Sequence, residues 1–266
     1  MSSSENGAEA GKVTLTQEGA VAWITIDNPA KLNAMSLAMW RDLGLRMTEL
    51  AEDTRCVVLK GAGTRAFVSG ADISEFAGRR RSPEDVALYD DISEDAMNRV
   101  HKCEIPTVAM ISGYCFGGGI ALSLCCDVRI ASDDAIFSVP AARLGLGYGW
   151  VNIKKLLDAV SVPVATDLMM SARRLQASEA LSAGLLNRVF PGDVLEREVI
   201  AYAEQIASNA PLTVRSVKCI IKEVSKLGEP DFALCERLVA ECFASDDYLE
   251  GSRAFTEKRK PNFKGK

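Results

Sequence analysis

The sequence is poor in the residue types that most often announce a function. It holds one histidine, His101, among 266 residues. That histidine falls near the end of a stretch that reads as a helix, just before Lys102. There a cation completing a helix C-terminus explains it without a catalytic role. Basic residues are outnumbered: 31 Lys and Arg against 36 Asp and Glu give a formal net charge of −5. That balance argues against a nucleic-acid binder, which needs a basic face. The clusters Arg79-Arg80-Arg81 and Lys258-Arg259-Lys260 read as solvated faces. The eight cysteines (Cys56, Cys103, Cys115, Cys125, Cys126, Cys219, Cys235, Cys242) sit in apolar runs without any C-x-x-C spacing. They read as reduced core thiols of a cytoplasmic chain, and neither a disulfide framework nor a metal site is expected. Residues 1–12 are small and polar and lack the apolar centre of a secretory signal, so a disordered N-terminus is expected there.

Charge is also missing from one long stretch. From Ile105 to Cys126 no residue is charged, and Gly117, Gly118 and Gly119 follow one another in its second half. The run is long enough to cross a bilayer, for which roughly 20 apolar residues suffice, but Pro106, four glycines, two serines and a threonine speak against a span. The reading adopted is a buried strand over 106–112, a tight connection over 113–116 and a buried helix over 117–126. Glycines in a first helical turn cost about 1 kcal/mol each relative to alanine. Two explanations stand. A helix N-terminus presents unpaired N–H groups, and glycine lets a ligand approach them closely. Close packing against a neighbouring element selects glycine equally well.

What is present is an ordinary globular composition, 48% hydrophobic and 25% charged, in a chain long enough for a large core. Val13 to Asp27 alternates about Glu18-Gly19 and predicts a hairpin with Ala20, Ala22, Ile24 and Ile26 on one face. Ser36 is an N-cap for an amphipathic helix carrying Trp40, Leu43, Met47 and Leu50. Cys56 to Lys60 predicts a strand. The following G-A-G-T-R-A resembles a dinucleotide fingerprint, but it leads into Phe67-Val68 rather than a helix, which argues against that reading. Ser82-Pro83-Glu84-Asp85 starts a helix to about Lys102. Short strands are expected at 128–130, 135–139 and 185–190, a loop at 140–149, and helices at 150–160 and 178–183. From Pro191 helical patterns dominate, closed by Ser245 capping a last helix to about Arg259. The expected organisation is an α/β core over 13–190 and a helical region over 191–266 used for assembly.

Four segments carry a resemblance: N-P-A-K-L-N-A-M-S from Asn28, F-V-S-G-A-D-I from Phe67, G-Y-C-F-G-G-G-I-A-L-S-L-C-C-D from Gly113, and the ending F-T-E-K-R-K-P-N-F. Together they resemble the enoyl-CoA hydratase/isomerase family, the crotonases, over nearly the whole chain. The resemblance implies a spiral of ββα turns, a C-terminal helical oligomerisation region, and a homotrimer or dimer of trimers. It also implies acyl-CoA thioester substrates, coenzyme A entering with the substrate and no separate cofactor, with neither nucleic acid nor membrane as partner. Carried over by position, it places an oxyanion hole on the backbone N–H groups of Ala71 and Gly118. Contacts to the CoA ester fall on Ala30, Lys31, Leu32 and Ala34, on Ser69, Gly70, Asp72 and Ile73, and on Tyr114, Phe116 and Gly117. Pro140, Ala141, Leu144 and the tail residue Lys258 complete the implied set.

The departures bear on the reaction. Hydratases of this family use two glutamates, and at those positions this chain has Ala121 and Ala141. Neither moves a proton, so the paired-carboxylate addition of water is not expected. The loop from Leu144 to Tyr148 and the tail from Asp246 to Phe263 are most similar to the methylmalonyl-CoA decarboxylase branch, in which a tyrosine stands at the position of Tyr148. That branch has a histidine where this chain has Ala71. Tyr148 is therefore a candidate catalytic residue, set against a half-buried aromatic with its hydroxyl at the surface. Glu94 lies where a related dehalogenase branch places a catalytic side chain, set against a solvated helix face. Three readings remain: a decarboxylase-type enzyme working through a thioester enolate, an atypical hydratase, isomerase or hydrolase using another acid or base, and a CoA-ester binding protein without turnover.

Overall fold

Residues 10–75 and 82–266 are described by the computed structural model. The Arg79-Arg80-Arg81 cluster and residues 1–9 of the expected disordered segment lie outside them. The predicted hairpin is present as β1 (Lys12–Glu18) and β2 (Val21–Asp27), turning at Gly19 with φ 57°. β1 thus begins inside the segment expected to lack structure. Ala22, Ile24 and Ile26 are buried on one face as their alternation predicts, but Val21 and Trp23 are buried on the other. A helix covers that second face, so β2 has no solvated side.

After α1 (Leu37–Arg46), the chain climbs in repeated turns, each laying one strand in each of two sheets. The first turn holds β3 (Cys56–Gly61), β4 (Ala66–Val68) and α2 (Pro83–Lys102). The second holds β5 (Thr107–Ile111), β6 (Tyr114–Phe116) and α3 (Gly118–Ser123). The third holds β7 (Val128–Ser132), β8 (Ile136–Ser138), α4 (Ala141–Leu144), α5 (Trp150–Ala159) and α6 (Val162–Ser171). β9 (Leu175–Gln176), α7 (Ala177–Ser182) and β10 (Arg188–Phe190) close the body. The larger sheet runs β1-β2-β3-β5-β7-β10 and the smaller β4-β6-β8-β9. This is the spiral of ββα turns that the resemblance implies. The connection expected over 113–116 is in fact strand β6, three residues whose parallel partners β4 and β8 lie outside any local window. α3 stops at Ser123, short of Cys126, because Cys125 and Cys126 tighten onto the carbonyls three residues back. The 140–149 loop contains α4, and α6 and β9 had no counterpart in the sequence reading.

The main core lies on the face of the larger sheet toward the smaller sheet and α1 to α3, with Trp40, Phe67 and Phe137 fully buried in it. A second cluster sits on the outer face, where α8 (Leu195–Ala207) presents Leu195, Val199 and Ala203 to Val21, Trp23, Cys56 and Val58. α9 (Pro211–Ser225), α10 (Phe232–Phe243) and α11 (Asp246–Glu257) follow. Ser82 forms the expected capping box with Asp85, and Ser36 and Ser245 cap α1 and α11. α11 ends two residues before Arg259. Arg259 itself forks onto Glu250 at 2.5 and 2.8 Å and holds that carboxyl down at about 2. Among the described residues no helix is long and apolar enough to cross a membrane, so the uncharged run is a strand, a strand and a short helix.

Candidate active site

Three short parallel strands of the smaller sheet, β4, β6 and β8, end side by side. The residues immediately after each one line the same cavity: Ser69, Gly70 and Ala71 after β4, Gly117 and Gly118 after β6, and Val139, Pro140 and Ala141 after β8. Sites outside the carboxyl ends of parallel strands follow from this topology, because the ladder runs out there and leaves main-chain groups facing outward. The cavity holds about 220 Å³.

The backbone of Ala71 and that of Gly118 come side by side in its lining. Ala71 forms an isolated parallel bridge with Met35, in which Met35 N–H donates to the Gly70 carbonyl at 2.8 Å and Asp72 N–H donates to the Met35 carbonyl at 2.9 Å. In that pattern the N–H of Ala71 itself faces away from Met35. Gly118 is the first residue of α3, where N–H groups lack an intrahelical acceptor. A Cβ placed on Gly118 would lie 4.0 Å from the Ala71 nitrogen, so the two donors are neighbours. The three consecutive glycines answer to different demands. Gly117 adopts φ 49°, a left-handed conformation that favours glycine. A Cβ on Gly119 would stand 2.2 Å from the Val68 carbonyl oxygen, so there packing against β4 decides. At Gly118 a Cβ would meet only ordinary contacts, 3.6 Å from Trp40 at the nearest, and would project beside the two donors. Close packing therefore accounts for Gly119, and it does not account for Gly118.

The facing wall is one side of α2, with Tyr89, Asp90, Ser93, Glu94 and Met97 at helical spacing. Trp40 from α1 donates its indole N–H to the Tyr89 hydroxyl at 2.9 Å, which fixes that wall to the floor. The third wall is the 144–152 segment, whose Gly149 comes beside Glu94: a Cβ there would be 3.9 Å from Glu94 Oε1. Glu94 is thus a cavity residue and not solely a solvated face. Ala121 and Ala141, which the resemblance aligns with the two glutamates, line the cavity, are buried and offer it only methyl groups. Among the described lining residues there is no lysine or arginine, and the charged ones are Asp90 and Glu94.

Tyr148 corrects one expectation. Its hydroxyl is not at the surface but turned inward, donating to the Gly117 carbonyl oxygen at 3.3 Å, and burial pushes its phenol pKa upward so that it stays protonated. His101 corrects another. Burial, with Lys222 and Lys155 nearby, pushes its pKa down to about 4, so it is a neutral imidazole rather than a cation at the end of α2. It does not line the cavity.

Of the remaining candidates, Ile73 and Leu144 line the cavity, while Ala30, Lys31, Leu32, Ala34, Asp72, Tyr114, Phe116 and Lys258 do not. The 30–34 segment is nevertheless docked on the segment after β4 that carries Ala71. Lys31 Nζ reaches Asp72 at 2.7 Å and Ser74 at 2.9 Å, and the Ser69 N–H donates to the Leu32 carbonyl at 3.2 Å. Burial alone would raise the Asp72 carboxyl, but hydrogen bonds from Lys31 and Ser74 outweigh it and the net shift is downward. Tyr114 and Phe116 stack at 5.1 Å on the same face of β6. Lys258 sits in a left-handed C-cap on the exposed tail. Sequence reasoning missed Tyr89, Asp90, Ser93 and Asn152. The first three share the helical face of Glu94, and that spacing was the available signal. It also missed Asn28 and Asn33, which fold the 28–34 loop by bonding each other and the Ala34, Ala62 and Ala66 carbonyls.

The enoyl-CoA hydratase/isomerase family profile matches residues 16–266. The chain is 33% identical over 256 residues to the short-chain-enoyl-CoA hydratase of Clostridium acetobutylicum, covering 95% of this chain and 97% of that one. It is 30% identical over 250 residues to the methylmalonyl-CoA decarboxylase of Escherichia coli, covering 92% and 95%. The crystal structure of an enoyl-CoA hydratase/carnithine racemase from Magnetospirillum magneticum superposes with a TM-score of 0.89 at 34% identity, covering 96% of each chain. With the profile spanning both the body and the helical tail, the chain belongs to the enoyl-CoA hydratase/isomerase family of acyl-CoA enzymes.

Proposed function

We propose that this protein converts acyl-CoA thioesters through an enolate stabilised by the N–H groups of Ala71 and Gly118, and that its reaction is of the decarboxylase type. The observation that carries this is the adjacency of those two donors in a cavity whose Ala121 and Ala141 supply methyl groups only. Donors preorganised where charge develops are worth about 2.7–4 kcal/mol of barrier each. They need no base to start the reaction if the substrate generates the enolate itself. A carboxylate on the carbon next to the thioester carbonyl does so: the C–C bond breaks, carbon dioxide leaves, the electron pair passes to the thioester oxygen, and the enolate then takes a proton from water at carbon to give the product thioester. Withdrawal from water into this cavity, whose lining is mostly apolar, disfavours such a carboxylate before bond cleavage more than the carbon dioxide released afterwards. Binding energy from the CoA moiety, held by the Ala30 to Ala34 and Ser69 to Ile73 segments, offsets that penalty. Coenzyme A enters as part of the substrate, and no resident cofactor takes part. The 30% identity to a methylmalonyl-CoA decarboxylase supports the same direction.

A second reading is favoured by one residue. Glu94 is a carboxylate in the same cavity and can relay a proton in an isomerisation or an atypical hydration. A panel of malonyl-type, enoyl and β-keto thioesters followed by mass spectrometry decides. Carbon dioxide release from a malonyl-type thioester is expected, with crotonyl-CoA hydration at least about a thousandfold below a paired-glutamate enzyme. Strong hydration or isomerisation that Glu94→Gln abolishes, with no malonyl-type activity, would replace the first reading with the second. Binding without any turnover would leave a CoA-ester binding protein.

A further inference from the structure

The peptide unit that carries the Gly118 N–H has its oxygen on Gly117, and that oxygen is loaded twice. The Ala121 N–H donates to it at 3.1 Å and the Tyr148 hydroxyl at 3.3 Å. A carbonyl oxygen offers two lone pairs, so both are engaged. On the other side the Gly117 N–H donates to the Ser138 carbonyl at 2.9 Å, which ties the preceding peptide to β8. The C–N bond of a peptide has partial double-bond character, so hydrogen bonds accepted at its oxygen draw charge from its N–H and strengthen whatever that N–H donates. Tyr148 therefore touches the back of the same group whose front faces the cavity.

We propose that Tyr148 is a positioning residue acting through the Gly117 carbonyl, its hydroxyl orienting and polarising the 117–118 peptide so that the Gly118 N–H meets the thioester oxygen squarely. This rests on the enolate reading given above. The donor count separates it from a direct role on the substrate. A phenol has one proton, here committed to Gly117, and a substrate carboxylate is acceptor-only and would need the same proton. Burial keeps the phenol protonated and hence a donor.

The test binds a saturated short-chain acyl-CoA, carrying carbon-13 at the thioester carbonyl, and reads the carbonyl stretch by isotope-edited infrared difference spectroscopy. Wild-type protein is expected to lower the frequency relative to free ligand. Tyr148→Phe, which keeps the ring, is expected to recover part of that displacement. Turnover of enolate-forming substrates should fall about three- to tenfold, less than the 10²–10³ expected for a lost donor, with KM and melting temperature little changed. Incorporating 3-fluorotyrosine at position 148, a stronger donor of the same shape, should lower the frequency further. An unchanged frequency in both folded variants overturns the proposal. If decarboxylation alone slows while the frequency stays put, the hydroxyl acts on the substrate carboxylate instead. No displacement in wild-type protein overturns the oxyanion reading itself and this proposal with it, so the wild-type spectrum tells the two failures apart.

Discussion

At the scale of single residues, identity and environment part company most clearly at His101. A lone histidine near a helix end invites the reading of a cation, yet burial, with Lys222 and Lys155 nearby, makes it neutral. The linkage has a definite sign. Between its ordinary value of 6.5 and about 4, the unfolded chain binds a proton that the folded chain refuses. The stability contributed by the neutral form is present above pH 6.5 and is lost as pH falls through that window. Melting curves from pH 7 to 4 should show a decline that is shallower in His101→Gln than in wild-type protein. Equal slopes would mean the imidazole is not held neutral.

At the scale of elements, the junction of β4, β6 and α3 determines what the glycine run does. Gly119 is required by contact with the Val68 carbonyl, whereas a Cβ on Gly118 would meet only ordinary contacts. Gly119→Ala must displace β4 or α3, at about 1–3 kcal/mol, a fall of a few degrees in melting temperature for a chain of this size. Gly118→Ala should melt at or slightly above the wild-type temperature, because glycine loses more entropy on folding. It should nonetheless lose most thioester turnover, since its methyl group stands where the substrate oxygen must come. Full activity in Gly118→Ala would remove Gly118 from the site.

At the scale of the whole molecule, the helical region carries apolar surface that this chain does not cover. Phe232, Phe243 and Phe255 are exposed, and Val217, Ile221 and Val224 form a stripe on α9 at helical spacing. On α10, by contrast, Leu238 is buried within the chain and Leu234 is half-buried. Exposed apolar groups in a contiguous stripe mark an interface. Self-association as a homotrimer or dimer of trimers would cover them, and light scattering at micromolar concentration should return three or six times the chain mass of 28.7 kDa. A monomer would count against it.

Much of this molecule was legible in one dimension. The hairpin about Gly19, the caps at Ser36, Ser82 and Ser245, the strand at Cys56 and the change to helices after Pro191 are local events, set by turn chemistry, capping and periodicity within a window of a dozen residues. The motif set identified the family, and Ala121 and Ala141 were visible as departures from it. Tertiary structure decided the rest. β6 and β9 exist because neighbours distant in the chain complete their ladders. Tyr89, Asp90, Ser93 and Glu94 wall a cavity rather than facing solvent from a helix because α1 and the 144–152 loop enclose them. The direction of the Tyr148 hydroxyl depends on where the carbonyl of Gly117 stops, 31 positions earlier in the chain. Which partner a polar group finds is a question of three-dimensional neighbours, and no local pattern encodes it.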